Sequence, residues 1–452
     1  MWYQKAASPE AYEKIYLDKL KFKDELEGLA KPSKTRSSAN GWIGLIDMNS
    51  YFATLEQQAN PYLRGKPIGI AKESGRSCII AASKEAKKLG IKTGSNVYDA
   101  RKICPGFITV DGDFDKYMHN TRLLKKIFEE LSPAIDIFSL DEAFIDLTHC
   151  KNLYPNIKTF FDQARARVKA ELGSWVTFSL GMGENRLQAK LASEFAGKDH
   201  YFEITPENLD GCLMECKVED ICGIGFRLTS KLHALNIHHP YQLNFFDDAF
   251  LKDHFGVFWG PELRRIGQGK NSHLLDLVDK PPRHMKSVGR SKTLYKATND
   301  REHLRQLFYN LAEDMCFKAR RMNLAGQFVG LYMRDTDGGG HGDMFRLKCY
   351  VRHTTEVFGL LNRLFDRIDF GEQKIIKVGV YLGNLRPMDE ITMCWIPEWN
   401  QREKVFAAVD EVNQKYGLYT VKSTRLAKFK ILMPEVTGFL GDKTYQFGVN
   451  SW

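Results

Sequence analysis

"FSLDEAFIDL", residues 138–147, decides how the fold is read. Apolar and polar residues alternate on both sides of Asp141 and Glu142, the pattern of a half-buried hairpin. Two adjacent carboxylates at the tip of such a hairpin repel one another, and packing does not require them there. Something positive is expected at that spot.

Working outward, "DKYMHNTRLLKKIFEELS" is a long amphipathic helix that leads into a hairpin over 135–147. "IKTFFDQARARVKAELG" is a second helix, and "WVTFSLGMG" a further strand. Upstream, "GWIGLIDMNSYF" is an apolar run that ends in a carboxylate, as a buried strand does, and "ATLEQQ" has helical spacing. "KPIGIA" and "SCIIAAS" read as strands, and "KEAKKLG" as a short basic helix closed by Gly90. Strand, helix, hairpin, helix, strand is a βαββαβ layer, with residues 53 to about 111 inserted as a smaller lobe.

In such a layer the first strand and the central hairpin are neighbours. Asp47 can therefore meet Asp141 and Glu142, although 94 positions separate Asp47 from Asp141. Oxygen-only ligands grouped this way suit Mg²⁺ or Mn²⁺. Divalent ions would cancel the repulsion, activate a hydroxyl and stabilise a leaving pyrophosphate. A solvated turn at Asp141–Glu142, with Asp47 as a helix N-cap, is the alternative, and spacing alone does not choose.

The rest of the chain sets bounds. Its 452 residues are too many for one core, so two to four domains are expected. A hydrophobic content of 43% and a charged content of 27% are those of a globular protein, and no run reaches the length of a membrane helix. The opening "MWYQKAASPEAYEKIYLDKL" lacks the apolar run of a signal peptide. Nine scattered cysteines suit a reducing compartment, and a cytoplasmic location is expected. The net charge of +9 is concentrated: Arg283 to Phe358 hold fourteen Lys/Arg against eight Asp/Glu. That excess points weakly to a polyanion.

Residues 1–40 read as a polar helix and a basic linker. From about 206 to 282 the chain turns short and helical around "VEDICGIGFRLTSKLHALNI", and "DKPPRH" is a proline linker. Residues 286–384 then repeat a βαββαβ pattern, with the Gly-rich "DTDGGGHGD" as a hairpin loop. The last seventy residues hold one helix, "NQREKVFAAVDEVNQKYG".

"LIDMNSYFATLEQQANPYLRGKPIGIA", "AASKEAKKLGIKTGSNVYDARKICP" and "DIFSLDEAFIDLT" resemble the three signature blocks of Y-family DNA polymerases of the DinB/UmuC type. The resemblance spans about residues 41–384, and D-x-N in place of D-x-D, with "SKEAK", leans toward the UmuC side. It implies an α+β, multidomain right-hand polymerase. The βαββαβ palm covers 41–205, with small fingers inserted at about 53–111. A helical helix-hairpin-helix thumb covers 206–282, and a linker with a βαββαβ little finger 283–384. Residues 385–452 form a tail. The implied activity is low-fidelity, template-directed DNA synthesis in translesion synthesis and damage tolerance. Primer–template DNA and deoxynucleoside triphosphates are the implied partners, two Mg²⁺ ions (Mn²⁺ as substitute) the cofactors, and a monomer the expected state.

Carried over residue by residue, Asp47, Asp141 and Glu142 match the metal-binding acids, and the Met48 carbonyl is a further ligand. Asp141 and Glu142 would hold the ion that lowers the pKa of the primer hydroxyl, while Asp47 bridges both ions. Phe52 matches the steric gate, a ring placed where a ribose 2′-OH would sit, with Tyr51 near the sugar and triphosphate. Lys84 and Lys87 stand where family members carry a Tyr and an Arg for the triphosphate. A further family lysine aligns with Gly197 or, shifted by one, Lys198, and Lys198 is preferred. Cys78 and Ile80 match the roof over the nascent base pair. Gly223 and Gly225 in "CGIGFRLTSKL" would let backbone N–H groups approach a phosphate. Lys286, Arg290 and Lys292 lie two or four apart on one strand, so one face could track a duplex backbone.

Other signals are set aside. "DGDFDKYMHNTR" lacks the Gly and Glu of a calcium loop, and Cys212, Cys216 and Cys222 lack zinc-like spacing. "QLNFFDD" resembles the pentapeptide that docks on a sliding clamp, but inside the thumb Leu243 and Phe246 are expected to face the core. Clamp binding therefore stays open. A non-catalytic DNA-bound scaffold would be expected to lose the acids, and a nucleotidyl cyclase would need neither the thumb motif nor the basic lobe.

Overall fold

The computed structural model describes residues 41–71, 78–275, 285–391, 397–417 and 420–424. The expected N-terminal helix, the "DKPPRH" linker and most of the tail lie outside the described residues. The chain divides at Lys280 and Pro281 into two units.

The first unit opens on β1 (Ile43–Met48), a strand whose only polar residue is Asp47. Ser50, held in the left-handed region at φ 49°, turns the chain straight into α1 (Tyr51–Ala59). That turn is costly for a residue with a side chain, and it places Tyr51 and Phe52 directly beside the acid strand. A small lobe follows: β2 (Ile68–Ala71), β3 (Ala81–Ala82), α2 (Lys84–Lys88), α3 (Val97–Ile103) and β4 (Ile108–Asp111). Its three strands lie in the order β3-β2-β4 over a core of Ile79, Ile91, Val97 and Phe107.

Asp113 then caps α4 (Phe114–Leu131) by accepting from the Lys116 N–H, so the calcium-like stretch is a helix start. Tyr117, Thr121, Leu124, Phe128 and Leu131 recur at helical spacing and are buried. Next come β5 (Ala134–Ile137), β6 (Glu142–Asp146), α5 (Ile157–Leu172), β7 (Phe178–Gly183), α6 (Arg186–Phe195) and β8 (Tyr201–Glu203). The sheet order is β5-β6-β1-β7-β8. β1 lies between β6 and β7 and is antiparallel to both. The expected neighbourhood of first strand and hairpin is therefore present.

Short helices α7 (Leu209–Glu215) and α8 (Phe226–Ala234) and the longer α9 (Asp248–Gly267) follow, sharing one apolar cluster with Leu45, Phe144 and Leu187 of the sheet layer. Leu243 and Phe246 are buried in that cluster, as the core reading of "QLNFFDD" expects.

The second unit runs β9 (Ser287–Thr298), α10 (Arg301–Arg321), β10 (Leu324–Asp335), β11 (Gly340–Val351), α11 (Thr354–Arg367), β12 (Ile375–Pro387) and α12 (Pro397–Tyr416). Its four strands are all antiparallel, in the order β11-β10-β12-β9. Val329, Leu331, Val378 and Val380 pack with Leu311 and Leu361 in one core, so α10 and α11 cover one sheet face. α12 is fixed to this unit by Arg320–Asp410 at 2.7 Å and His353–Glu403 at 2.9 Å. Among the described residues no helix is long and apolar enough to cross a membrane.

Candidate active site

The acids meet because of strand register. Asp47 of β1 stands directly opposite Glu142 of β6. The Met48 N–H donates to the Asp141 carbonyl at 2.9 Å, which carries the pairing one residue further toward the hairpin tip. Directly opposed residues have Cβ atoms about 5 Å apart. Three carboxylates are thus gathered at one edge of the layer.

Their electrostatics follow. Burial first, then the charges of Glu142 and Asp141, push the Asp47 carboxyl up to about 7. Burial also raises Asp141, against the pull of a hydrogen bond from Ser139. The Ser139 hydroxyl donates to Asp141 Oδ1 at 2.6 Å and lies 3.3 Å from Glu142 Oε2. Glu142 Oε1 accepts from Lys190 Nζ on α6. Burial works against the Lys190 charge, yet Glu142 holds its pKa above the ordinary lysine value. Among the described residues no three acidic, imidazole or thiol groups stand as a ready ion cage. The oxygen-only donor set suits a hard divalent ion, whose charge would reverse the forces that raise Asp47.

Beside the acids, Phe52 is half-exposed. Its ring stacks on Tyr117, with centroids 4.4 Å apart and planes 8° apart, while Phe114 meets it edge-on. Tyr117 is held in turn by its hydroxyl, which donates to buried Glu56 at 2.7 Å. Tyr51 corrects its expected role. Its ring is buried, and its hydroxyl lies 3.1 Å from Thr121 Oγ1, whose own hydroxyl donates to the Leu140 carbonyl at 2.7 Å. The Tyr51 side chain is a strut between the α1 turn and the hairpin tip, with no polar atom left for a triphosphate.

Lys84, Lys87 and Lys198 share one neighbourhood. Burial first, and then the charge of Lys87, lower the Lys198 pKa. Gly197 is in the left-handed region at φ 70° and its carbonyl accepts from Ser179 at 2.6 Å, so Lys198 carries the charge at this turn. Lys84 lies 4.3 Å over the Trp175 ring. In the helical part, Gly223 has φ 95°, and Gly225 precedes α8 without a side-chain cap. A Cβ on Gly225 would meet nothing within 4 Å, so the amides at the start of α8 are open to an approaching anion.

The second unit brings the clearest correction. Arg290 pairs in register with Val380, and Lys292 with Val378, both valines of the helix-covered core. The Arg290 side chain is 9% exposed and stands 2.5 Å from Asp314 of α10, an electrostatic contact in which Nε–H is not aimed at the carboxylate. Lys286, just before β9, shares this parity with Val288 and Leu294, both core residues. The three do share one face, but it is the helix-covered one, where Arg290 is engaged by Asp314 and Lys292 is half-buried; Lys286, at its end, is exposed. The other face presents Ser287, Gly289, Ser291 and Thr293 from β9, paired with Gly383, Tyr381, Gly379 and Lys377. Arg334 and Arg346 belong to the same face, Arg346 lying 5.6 Å over the Phe328 ring.

Lys190 and Ser139 escaped the sequence reading. For Lys190 a signal existed: on α6 it is flanked by buried Leu187, Ala189, Leu191 and Ala192, and an ammonium on so apolar a helix needs a partner.

With this geometry in hand, likeness to known proteins can be stated. A family model described as the impB/mucB/samB family matches residues 46–194, and the model of that family's C-terminal domain matches 285–393. A DNA polymerase IV of Moorella thermoacetica is 29% identical over 384 residues, covering 83% of this chain and 93% of the relative. A DNA polymerase IV of Xanthomonas axonopodis pv. citri is 31% identical over 292 residues, covering 65% of this chain and 79% of the relative. A solved Y-family DNA polymerase chimera of Dbh and Dpo4 shares the fold, with TM-score 0.63 and 22% identity. It is matched over 76% of this chain and 99% of its own.

Proposed function

We propose, from the premise that this chain belongs to the impB/mucB/samB family of Y-family DNA polymerases, how its residues copy DNA. The enzyme is a DNA-directed DNA polymerase of the translesion type. The finer reading is low-fidelity addition of deoxynucleotides to a primer 3′-hydroxyl by a monomer in the cytoplasm. One observation carries it: Asp47 stands in register with Glu142 at the hairpin tip that also bears Asp141.

Asp47, Asp141 and Glu142, with the Met48 carbonyl, are the groups to hold two divalent ions, Mg²⁺ or in substitution Mn²⁺. Ions bound there supply Lewis acidity, lowering the pKa of the primer hydroxyl and neutralising the leaving pyrophosphate. Asp47, on the central strand, would be the acid shared between the two ions. Asp141 and Glu142, at the tip, serve the primer side. The primer hydroxyl gives its proton to water as its oxygen bonds to the α-phosphorus and the bond from that phosphorus to the pyrophosphate oxygen breaks.

Phe52 selects the sugar. Its ring, backed by Tyr117, fills the place of a 2′-hydroxyl and offers it no hydrogen-bond partner. Lys87 and Lys198 attract the triphosphate, with Lys84 partly committed to Trp175. The open amides of α8 take a backbone phosphate without reading sequence. In the second unit the duplex grip moves to the face of Arg334, Arg346 and Lys377. A sliding clamp, if it is a partner, is not bound through Gln242–Phe246, whose apolar side chains are buried.

Primer extension with Mg²⁺ on intact and abasic templates tests this reading. Template-dependent extension on both is expected. No extension on the intact template, with duplex binding retained, would return the chain to the scaffold reading.

A further inference from the structure

Lys190 is placed where the acid site is most negative. It extends from α6, its side chain four-fifths buried, and donates to Glu142 Oε1, while the other Glu142 oxygen lies near Ser139. Its ammonium also lies 5.3 Å from the ring of Phe138, in the turn of the same hairpin. α6 packs directly on β7 and β1, so its position is fixed by the strand that carries Asp47. Asp47, Asp141 and Glu142 are the acids that face this one ammonium, with Glu194 a turn further along α6. Glu142 is thus engaged by the Lys190 ammonium, and Asp141 by the Ser139 hydroxyl.

We infer that Lys190 is a resident counter-cation of the site: a positioning residue that holds Glu142 against β1 and keeps affinity for divalent ions low until substrate phosphates arrive. The inference rests on the carboxylate reading above. Two consequences separate it from plain packing. The ammonium substitutes for part of the missing ion charge, so its removal should matter most when no ion is present. It also opposes an incoming cation, so its removal should tighten ion binding even as it loosens Glu142.

The test uses the full chain and Mn²⁺ alone, with binding followed by calorimetry or by the resonance of free Mn²⁺. Lys190→Met should bind Mn²⁺ about tenfold more tightly than wild type. It should unfold at lower temperature in chelator and regain most of that loss in excess Mg²⁺. Its kcat should fall while KM for the deoxynucleotide stays within about twofold. Lys190→Arg should restore wild-type Mn²⁺ affinity. Unchanged or weaker Mn²⁺ binding by Lys190→Met overturns the inference, as does a large rise in KM, which would make Lys190 a triphosphate ligand. A Lys190→Met chain that folds only with Mg²⁺ supports it; one that folds in neither medium overturns it. Failure of the wild type itself to bind Mn²⁺ would instead overturn the carboxylate reading.

Discussion

The two units carry the same order of elements, β-α-β-β-α-β, wired in different ways. In the first, the opening strand β1 lies between the hairpin strand β6 and the closing strand β7. In the second, the opening strand β9 lies at the edge and pairs with the closing strand β12 alone. A central strand has two neighbours, so one side chain at its end can meet groups from both. Asp47 stands at that place, and on the proposed function it serves the chemistry there. A polar residue on the edge strand, Arg290, spends its charge on Asp314 of the covering helix. Element order is thus no guide to which strand can build a site; strand order is.

Substitutions sharpen this contrast. The largest effect is expected from Asp141→Ala, which should cut primer extension on the order of a thousandfold or more while duplex binding persists. Retained synthesis in that variant would detach the chemistry from the central strand and its hairpin. Arg290→Met should do the opposite, costing about 3–5 kcal/mol in the denaturant stability of the second unit by removing a buried cation beside buried Asp314. Stability unchanged in that variant would remove the edge strand's structural role.

Phe52→Ala should raise ribonucleotide incorporation about 10- to 100-fold, read as the ratio of kcat/KM for the two sugars. Equal discrimination in wild type and variant would rule out the gate. The pH dependence of the ion-free chain is gentler. The Asp47 pKa is raised from 3.8 to about 7, so the folded state holds this proton more tightly than the unfolded chain. Its contribution is fully present below the unfolded pKa and is lost as pH rises through about 7. Asp47 should therefore make stability in chelator fall between pH 4 and 7, its own share being at most about 1.4 kcal/mol per pH unit, and Asp47→Asn should flatten the slope. A rise with pH would contradict the cause given.

The smallest effect concerns the second unit's two faces. Neutralising Arg334, Arg346 and Lys377 should lower the salt slope of DNA affinity by about one for each phosphate left without its cation, and Lys292→Met should leave it unchanged. The reverse pattern would restore the helix-side face as the grip.

How far the sequence disclosed all this depended on the kind of information needed. The meeting of Asp47 with Asp141 and Glu142 was legible because a carboxylate at the end of an apolar strand and a pair at a hairpin tip both break local pattern. The face of β9 was legible too, and was misread: Val288 and Leu294 have the parity of Arg290, and apolar parity decides which face is buried. Charge spacing misled because a buried arginine with a partner looks, in sequence, like a surface one. The edge position of β9 was not legible, since pairing between distant strands is settled by the whole core. The burial of Tyr51 depends on α4, some sixty residues away, and no local pattern reveals it.

The most direct test is anomalous scattering from a crystal of the full chain with primer–template, a non-hydrolysable deoxynucleotide and Mn²⁺. Manganese peaks ligated by Asp47, Asp141 and Glu142, with Asp47 touching both, are the expected result. Manganese bound elsewhere, with Glu142 still held by Lys190 and Asp141 by Ser139, would contradict the assignment of the acids.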